Sequence, residues 1–153
     1  MAATKVGGRP PGALSWVNRA LGRALDRGKG PPSLRLLTVR GRRTGRDLTT
    51  PIAPVFGDDG SVWLVAAYGD TAWVRNLRAA GRVELRRGAD RTSYDARELD
   101  APEAIPVLRA YLSKATSVFV RRRFGVTARS PDAAIAAEAP GHPTFALTRV
   151  VQP

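Results

Sequence analysis

The stretch Leu36-Leu37-Thr38-Val39-Arg40-Gly41-Arg42-Arg43-Thr44-Gly45-Arg46-Asp47-Leu48-Thr49-Thr50-Pro51-Ile52 leads one extended run into another through a short basic loop. Apolar and β-branched residues from Leu34 to Val39 predict a strand. The loop, residues 41 to 47, holds two glycines, a hydroxyl and three arginines, with Arg40 just ahead of it. Glycine lets backbone N–H groups turn toward a ligand, and successive N–H groups form a concavity for an anion. Guanidinium groups add planar, charge-assisted hydrogen bonds to phosphate or carboxylate. A solvated hairpin loop in an arginine-rich chain has the same composition, so the residues alone leave both readings open.

Outward from this loop the pattern is one of hairpins. Thr49 to Phe56 predicts a second strand, which Pro51 and Pro54 confine to an edge or an irregular course. Gly57-Asp58-Asp59-Gly60 is a turn, and Ser61 to Ala67 reads as a buried third strand with Trp63 in the core. Thr71 and Gly81 bracket a short helix, Ala72 to Ala80, with Trp73 and Leu77 on one face. Val83 to Arg87 and Thr92 to Leu99 form a hairpin turning at Gly88-Ala89-Asp90, with Tyr94 in cross-strand packing. A long helix spans Pro102 to Arg123, its apolar stripe running through Ile105, Leu108, Leu112, Ala115 and Phe119, and Pro106 kinks its first turns. Residues 125 to 143 are irregular, with brief helix at Ala133 to Glu138, and Thr144 to Val150 closes the chain as a strand.

Ahead of the loop, residues 1 to 12 are rich in Gly, Pro and Ala and read as a flexible segment. Ala13 to Asp26 is an amphipathic helix with Leu14, Val17, Leu21 and Leu25 on one face, stopped by Gly28 to Pro32. Consecutive hairpins imply an antiparallel sheet. The expected fold is α+β: a barrel of about six mostly antiparallel short strands with flanking helices, forming one domain over 13–153.

Composition narrows the chemistry. The 153 residues carry 25 Lys and Arg against 13 Asp and Glu, a net charge of +12. Only Lys5, Lys29 and Lys114 are lysines, so 22 cations are arginine, a skew that a GC-rich genome also produces. No cysteine is present, which removes disulfides, thiolate nucleophiles and Cys-based metal sites. His142 is the sole histidine, and no dense carboxylate cluster accompanies it, so no metal site is expected. No apolar run approaches the length of a membrane-spanning helix and residues 1 to 11 lack a secretory signal, so a cytoplasmic location is expected.

The loop and three later segments resemble a known family. Gly41-Arg42-Arg43-Thr44-Gly45-Arg46-Asp47-Leu48-Thr49-Thr50-Pro51-Ile52 is similar to the pattern Gly-Arg-Lys-Ser-Gly-x-x-Arg-Thr-Thr-Pro-Leu of the deazaflavin-dependent nitroreductase family. That family belongs to the split β-barrel flavin/deazaflavin oxidoreductases. Val65-Ala66-Ala67-Tyr68-Gly69, Trp73-Val74-Arg75-Asn76-Leu77 and His142-Pro143-Thr144-Phe145-Ala146-Leu147 follow in the family's order. The resemblance covers roughly residues 34 to 150. It implies a split β-barrel and the anionic redox cofactor coenzyme F-420, with FMN as the runner-up. By position, it assigns Arg42, Arg43, Thr44 and Gly45 to the cofactor's phosphate and tail carboxylates. Thr49, Thr50, Pro51 and Ile52 would follow the ring, and Ala67, Tyr68, Trp73 and Asn76 would close its other side. The family's second arginine falls at Leu48, where Arg46 or Arg40 would have to substitute, and the segment from Gly69 to Trp73 is short.

The implied activity is hydride transfer from reduced F-420 to a small hydrophobic acceptor: a quinone, nitro compound or activated alkene. Such chemistry needs no protein nucleophile, so no catalytic residue is expected. A non-catalytic carrier of cofactor or lipid in the same fold is the second reading. A nucleic-acid-binding protein is the third; the charge suits it, but the arginines are scattered and no recognition motif is visible, so no specific nucleic-acid partner is expected. Tyr111 and Phe119 are candidate substrate contacts, with core packing as their alternative. His142 reads as structural or exposed, and Arg121-Arg122-Arg123 as a solvated cationic helix end. The N-terminal helix, with Trp16 and several arginines, is a candidate for peripheral membrane contact or for capping the barrel or a partner subunit. A homodimer is possible by analogy with related barrels.

Overall fold

A computed structural model describes residues 12–152 apart from 115–117, with side chains from Asn18 onward. The expected flexible segment, residues 1 to 12, and the helical contacts of Leu14, Trp16, Val17 and Ala115 lie outside the residues or side chains described. Helix α1 (Gly12–Asp26) precedes strands β1 (Arg35–Arg40), β2 (Asp47–Ile52), β3 (Val55–Phe56) and β4 (Val62–Val65). Helix α2 (Ala72–Ala80), the hairpin β5 (Arg82–Arg87) and β6 (Asp90–Glu98), and helices α3 (Ala101–Lys114), α4 (Val118–Arg121) and α5 (Asp132–Glu138) follow. A 3-10 turn, Ala139–Gly141, leads into β7 (Thr144–Arg149).

All seven strands join one antiparallel sheet in the order β2-β1-β5-β6-β7-β4-β3. The strand expected over Thr49 to Phe56 is therefore two strands at opposite ends of that order. Ala53 and Pro54 alone connect them. Ile52 and Val55 are three residues apart, a reach of at most about 11 Å. Six strand spacings laid flat would separate them by about 29 Å. The sheet must curl until its edges approach, which makes it a split barrel. The Arg35 guanidinium of β1 accordingly lies 5.1 Å from the Phe56 ring centre of β3. Pro54 cannot donate to a ladder and stands where pairing changes.

Alternation then divides side chains between two cores. Leu37, Val39, Leu64, Val83, Leu85, Phe145 and Leu147 fill the barrel, which α2 plugs with Val74 and Leu77. On the other side of β4, Val65 and Ala67 pack with α3, α5 and Phe124. The apolar run around β4 thus serves both cores, and Trp63 is half-buried against the outer one rather than central. Tyr94 stands opposite Val83, as cross-strand packing requires.

Helix α2 has the bounds its punctuation predicts: Gly81 ends it with φ 68° and its N–H reaches the Leu77 carbonyl at 2.8 Å. Thr71 precedes it, yet its hydroxyl makes no cap bond. Of the long helix expected over Pro102 to Arg123, the described residues show helix to Lys114 and again over Val118–Arg121, with 115–117 outside them. Phe119, expected on its apolar stripe, is 73% exposed. The end of α1 is fastened by Arg87, which donates to the Pro31 and Gly30 carbonyls, both at 2.8 Å. Arg87→Met keeps the aliphatic stem but removes those donors. It should lower unfolding stability by about 1–2 kcal/mol in urea titration, with faster proteolysis near residues 28–34.

Candidate functional site

The β1–β2 loop is folded by its own glycines and by one buried amide. The Gly41 N–H donates to the Arg46 carbonyl at 2.8 Å, and the Gly45 N–H donates to the Gly41 carbonyl at 2.9 Å. A Cβ on Gly41 would stand 2.9 Å from the Arg46 carbonyl oxygen, so no larger residue fits without moving backbone. Gly45 adopts φ 71°, a left-handed conformation costly for other residues. Thr44 Oγ1 accepts the Arg46 N–H at 3.2 Å.

From α2, the Asn76 side chain reaches under this loop. Its Oδ1 accepts the Arg42 backbone N–H at 3.1 Å and the Arg42 guanidinium at 2.8 Å. Asn76 is only 2% exposed. Asparagine is a middling helix former, so a buried one in α2 reflects this tether rather than propensity.

The loop is strongly cationic, with Asp47, opposite Arg40, as its one carboxylate. Arg40, Arg42, Arg43 and Arg46 are exposed, and none has a carboxylate partner among the described residues. Elsewhere Arg75, Arg78, Arg82, Arg86, Arg97 and Arg109 each pair with Asp or Glu. The Arg40 guanidinium lies beside Gly45: a Cβ there would meet its nitrogens at 3.5 and 3.7 Å. Leu48, where the family pattern has arginine, is 47% exposed.

The other sequence-predicted residues divide between faces. Thr50 and Ile52 oppose Leu37 and Arg35 and share the barrel-side face, whereas Thr49 and Pro51 oppose Thr38 and Leu36 on the outer face. Thr49 Oγ1 and Thr38 Oγ1 hydrogen-bond at 3.0 Å. Their side chains therefore cannot all line one flat ring. Because β2 ends the sheet, however, backbone groups on its open edge are not used by the ladder. Trp73 and Ile52 border the barrel core, Trp73 with its ring centre 6.1 Å from that of Phe145. Ala67 is buried in the outer core.

A second polar group surrounds Tyr68, which is 38% exposed. The Arg123 guanidinium lies 4.9 Å from its ring centre. Tyr111 packs on Phe124 at 5.9 Å, and Phe124 stacks on His142 at 3.8 Å. His142 is buried, with Nδ1 3.0 Å from the Ala67 carbonyl and Nε2 3.2 Å from Glu138 Oε2. Glu138 Oε1 also accepts the Gly125 N–H at 2.6 Å. His142 is thus structural: it pins the end of β4, which sets where Tyr68 stands. The four-residue spacing of Glu138 and His142 was the visible signal for this pair; Arg123 and Phe124 had none. Phe119 does not join Tyr111. Two grooves, of about 700 and 830 Å³, lie along α3, α5 and the 121–129 segment, and neither is lined by the arginine loop.

Burial, then the neighbouring Tyr68, pushes the Tyr111 phenol up to about 12. Its neutral form is favoured by folding, so that stabilisation persists below about pH 10 and is lost as pH rises toward 12. Phenolate absorbance titration should show one late component near pH 12 that Tyr111→Phe removes.

The family model described as F420H(2)-dependent quinone reductase matches residues 15–143. No curated protein matches. Among solved structures, a domain-swapped dimer is 19% identical, with TM-score 0.56 over 89% of this chain and 99% of its own. An F420-H2 dependent reductase (FDR-A) is 19% identical, with TM-score 0.55 over 76% of this chain and 95% of its own. An FMN-binding, pyridoxamine 5'-phosphate oxidase-related protein from Nostoc punctiforme PCC 73102 is 11% identical, with TM-score 0.52 over 95% and 83%. These likenesses share the curled barrel, while the sequence match runs from α1 through the arginine loop to His142. The chain belongs to the F420H(2)-dependent quinone reductase family and is an F-420-dependent oxidoreductase.

Proposed function

We propose that the β1–β2 loop clamps the phosphate and tail carboxylates of coenzyme F-420, and that the acceptor is a small lipophilic quinone, nitro compound or activated alkene. The observation that carries this reading is the loop itself. Four arginines without carboxylate partners sit on a glycine-shaped turn whose backbone is tethered to the buried Asn76. Like charges so close together repel, and a bound polyanion relieves that repulsion.

When bound, reduced F-420 supplies the hydride, and the chain's part is to bind, orient and exclude water. Arg42 and Arg43 act as the principal grips, with Thr44 and Gly45 shaping the turn. Arg40, beside Gly45, takes the place left by Leu48. The open edge of β2, from Thr49 to Ile52, offers backbone groups to ring heteroatoms, and Trp73 backs the barrel mouth. Tyr68 and the neutral Tyr111 phenol stand on the acceptor side, where a donated proton must accompany hydride if a quinone is to leave as a hydroquinone. An FMN phosphate would satisfy the same loop, so titration with both cofactors separates the two.

Arg43→Ala should weaken F-420 binding about tenfold in fluorescence titration, with the melting temperature unchanged because the side chain is exposed and unpaired. Asn76→Ala should weaken binding and also lower stability by about 1–3 kcal/mol. Unchanged F-420 affinity in both variants would refute the clamp. Leu48→Arg, which restores the family's cation, should tighten F-420 binding several-fold, more for longer glutamate tails and less at high salt.

A further inference from the structure

We infer that Glu138 is a positioning residue for the acceptor side of the site, acting on Tyr68 through His142 and on Arg123 through Gly125. Its carboxylate spans two segments. Oε1 accepts the Gly125 N–H at 2.6 Å, and Oε2 stands 3.2 Å from His142 Nε2. A Cβ on Gly125 would collide with Oε1, and Gly125 does not adopt the left-handed conformation. Its missing side chain therefore serves the approach of this carboxylate. Across the ring, His142 Nδ1 faces the Ala67 carbonyl at 3.0 Å and the Ala66 carbonyl at 3.3 Å. Carbonyls on one side and a carboxylate on the other are acceptors alone. The geometry therefore calls for a proton on each ring nitrogen, an imidazolium paired with Glu138. Phe124 stacks on this ring at 3.8 Å between centres and 17° between planes, where an aromatic face favours a cation.

Both arms of the carboxylate end on one contact. Tyr68 directly follows Ala67, and Arg123 lies two residues before Gly125. The Arg123 guanidinium stands 4.9 Å from the Tyr68 ring centre. Glu138 thus fixes the backbone on both sides of that contact, and Tyr111 of α3 stands beyond Phe124. The Ala66 N–H, donating to the Pro143 carbonyl at 2.9 Å, holds the same end of β4 to the strand that follows His142. A buried ion pair is a poor source of stability, because apolar residues of similar volume avoid its desolvation cost. What it supplies here is direction. The pairing stands on geometry alone; its service to the acceptor rests on the proposed function, which places Tyr68 on that side.

His142 is the sole histidine, so the full chain carrying isotope-labelled histidine gives one imidazole NMR spectrum. At about pH 6 both ring nitrogens should be protonated, whereas in Glu138→Gln, whose amide donates to Nε2, only Nδ1 should be. Amide exchange at residues 66–68 and 123–125 should quicken about tenfold in Glu138→Ala and recover in Glu138→Gln, with the β5–β6 hairpin unchanged. With saturating reduced F-420, kcat/KM for a small naphthoquinone should fall about tenfold in Glu138→Ala and recover in Glu138→Gln, at unchanged F-420 affinity. Ile135→Val, three residues earlier on α5, thins the outer core but keeps the carboxylate. It should lower the melting temperature without lowering kcat/KM. The inference is overturned if the imidazole of the unaltered chain is singly protonated, or if Glu138→Ala leaves exchange or kcat/KM unchanged. It is equally overturned if Ile135→Val loses as much kcat/KM as Glu138→Ala. An unaltered chain that neither binds F-420 nor reduces the quinone refutes the proposed function instead, and the imidazole spectrum and amide exchange still decide the pair without cofactor.

Discussion

Two residues, Ala53 and Pro54, join the first and last strands of a seven-stranded sheet, and that short span requires the sheet to curl. Curling gives the sheet an inner face, which needs filling, and a mouth, which needs covering. Helix α2 does both: Val74 and Leu77 enter the barrel core while Asn76 meets the loop that leaves β1. The position of the arginine loop is therefore a consequence of barrel closure. A flat sheet would hold the same loop with no buried amide beneath it.

Arginines on β5, β6 and α2 pair with nearby carboxylates, where exposed ion pairs contribute little stability but fix the side chains. Arg40, Arg42, Arg43 and Arg46, like Arg91 and Arg149 elsewhere, form no salt bridge among the described residues; the loop differs in holding four of them within seven residues. Holding cations this close together costs folding free energy, and a site selected for an anionic ligand tolerates that cost. The barrel provides the rigid support, and redox chemistry resides in the cofactor of the family to which the chain belongs.

Much of this was legible in local sequence signals. Thr71 and Gly81 punctuate α2 at the bounds observed, and the Gly88 turn marks the β5–β6 hairpin. The family motif located the loop, and its glycines and arginines state the chemistry. Long-range consequences were not legible. The Gly57–Gly60 turn announced the hairpin that pairs Val55 with Trp63, and Pro54 an irregular strand, but nothing local says that Ile52 and Val55 belong to strands at opposite ends of the sheet. Helical spacing continued past Lys114, so Phe119 read as core although it faces solvent. Asn76 was singled out as an odd residue for a helix, yet that its oxygen folds Arg42 rather than facing a ligand depends on tertiary contact. His142 could be recognised as structural, but not its hold on the end of β4.

Amide hydrogen exchange with and without coenzyme F-420 tests the clamp most directly. Slowed exchange should centre on residues 41–46, with smaller changes along the open edge of β2 and at the start of α2. Slowed exchange confined to the grooves along α3 and α5, with the arginine loop unchanged, would contradict it.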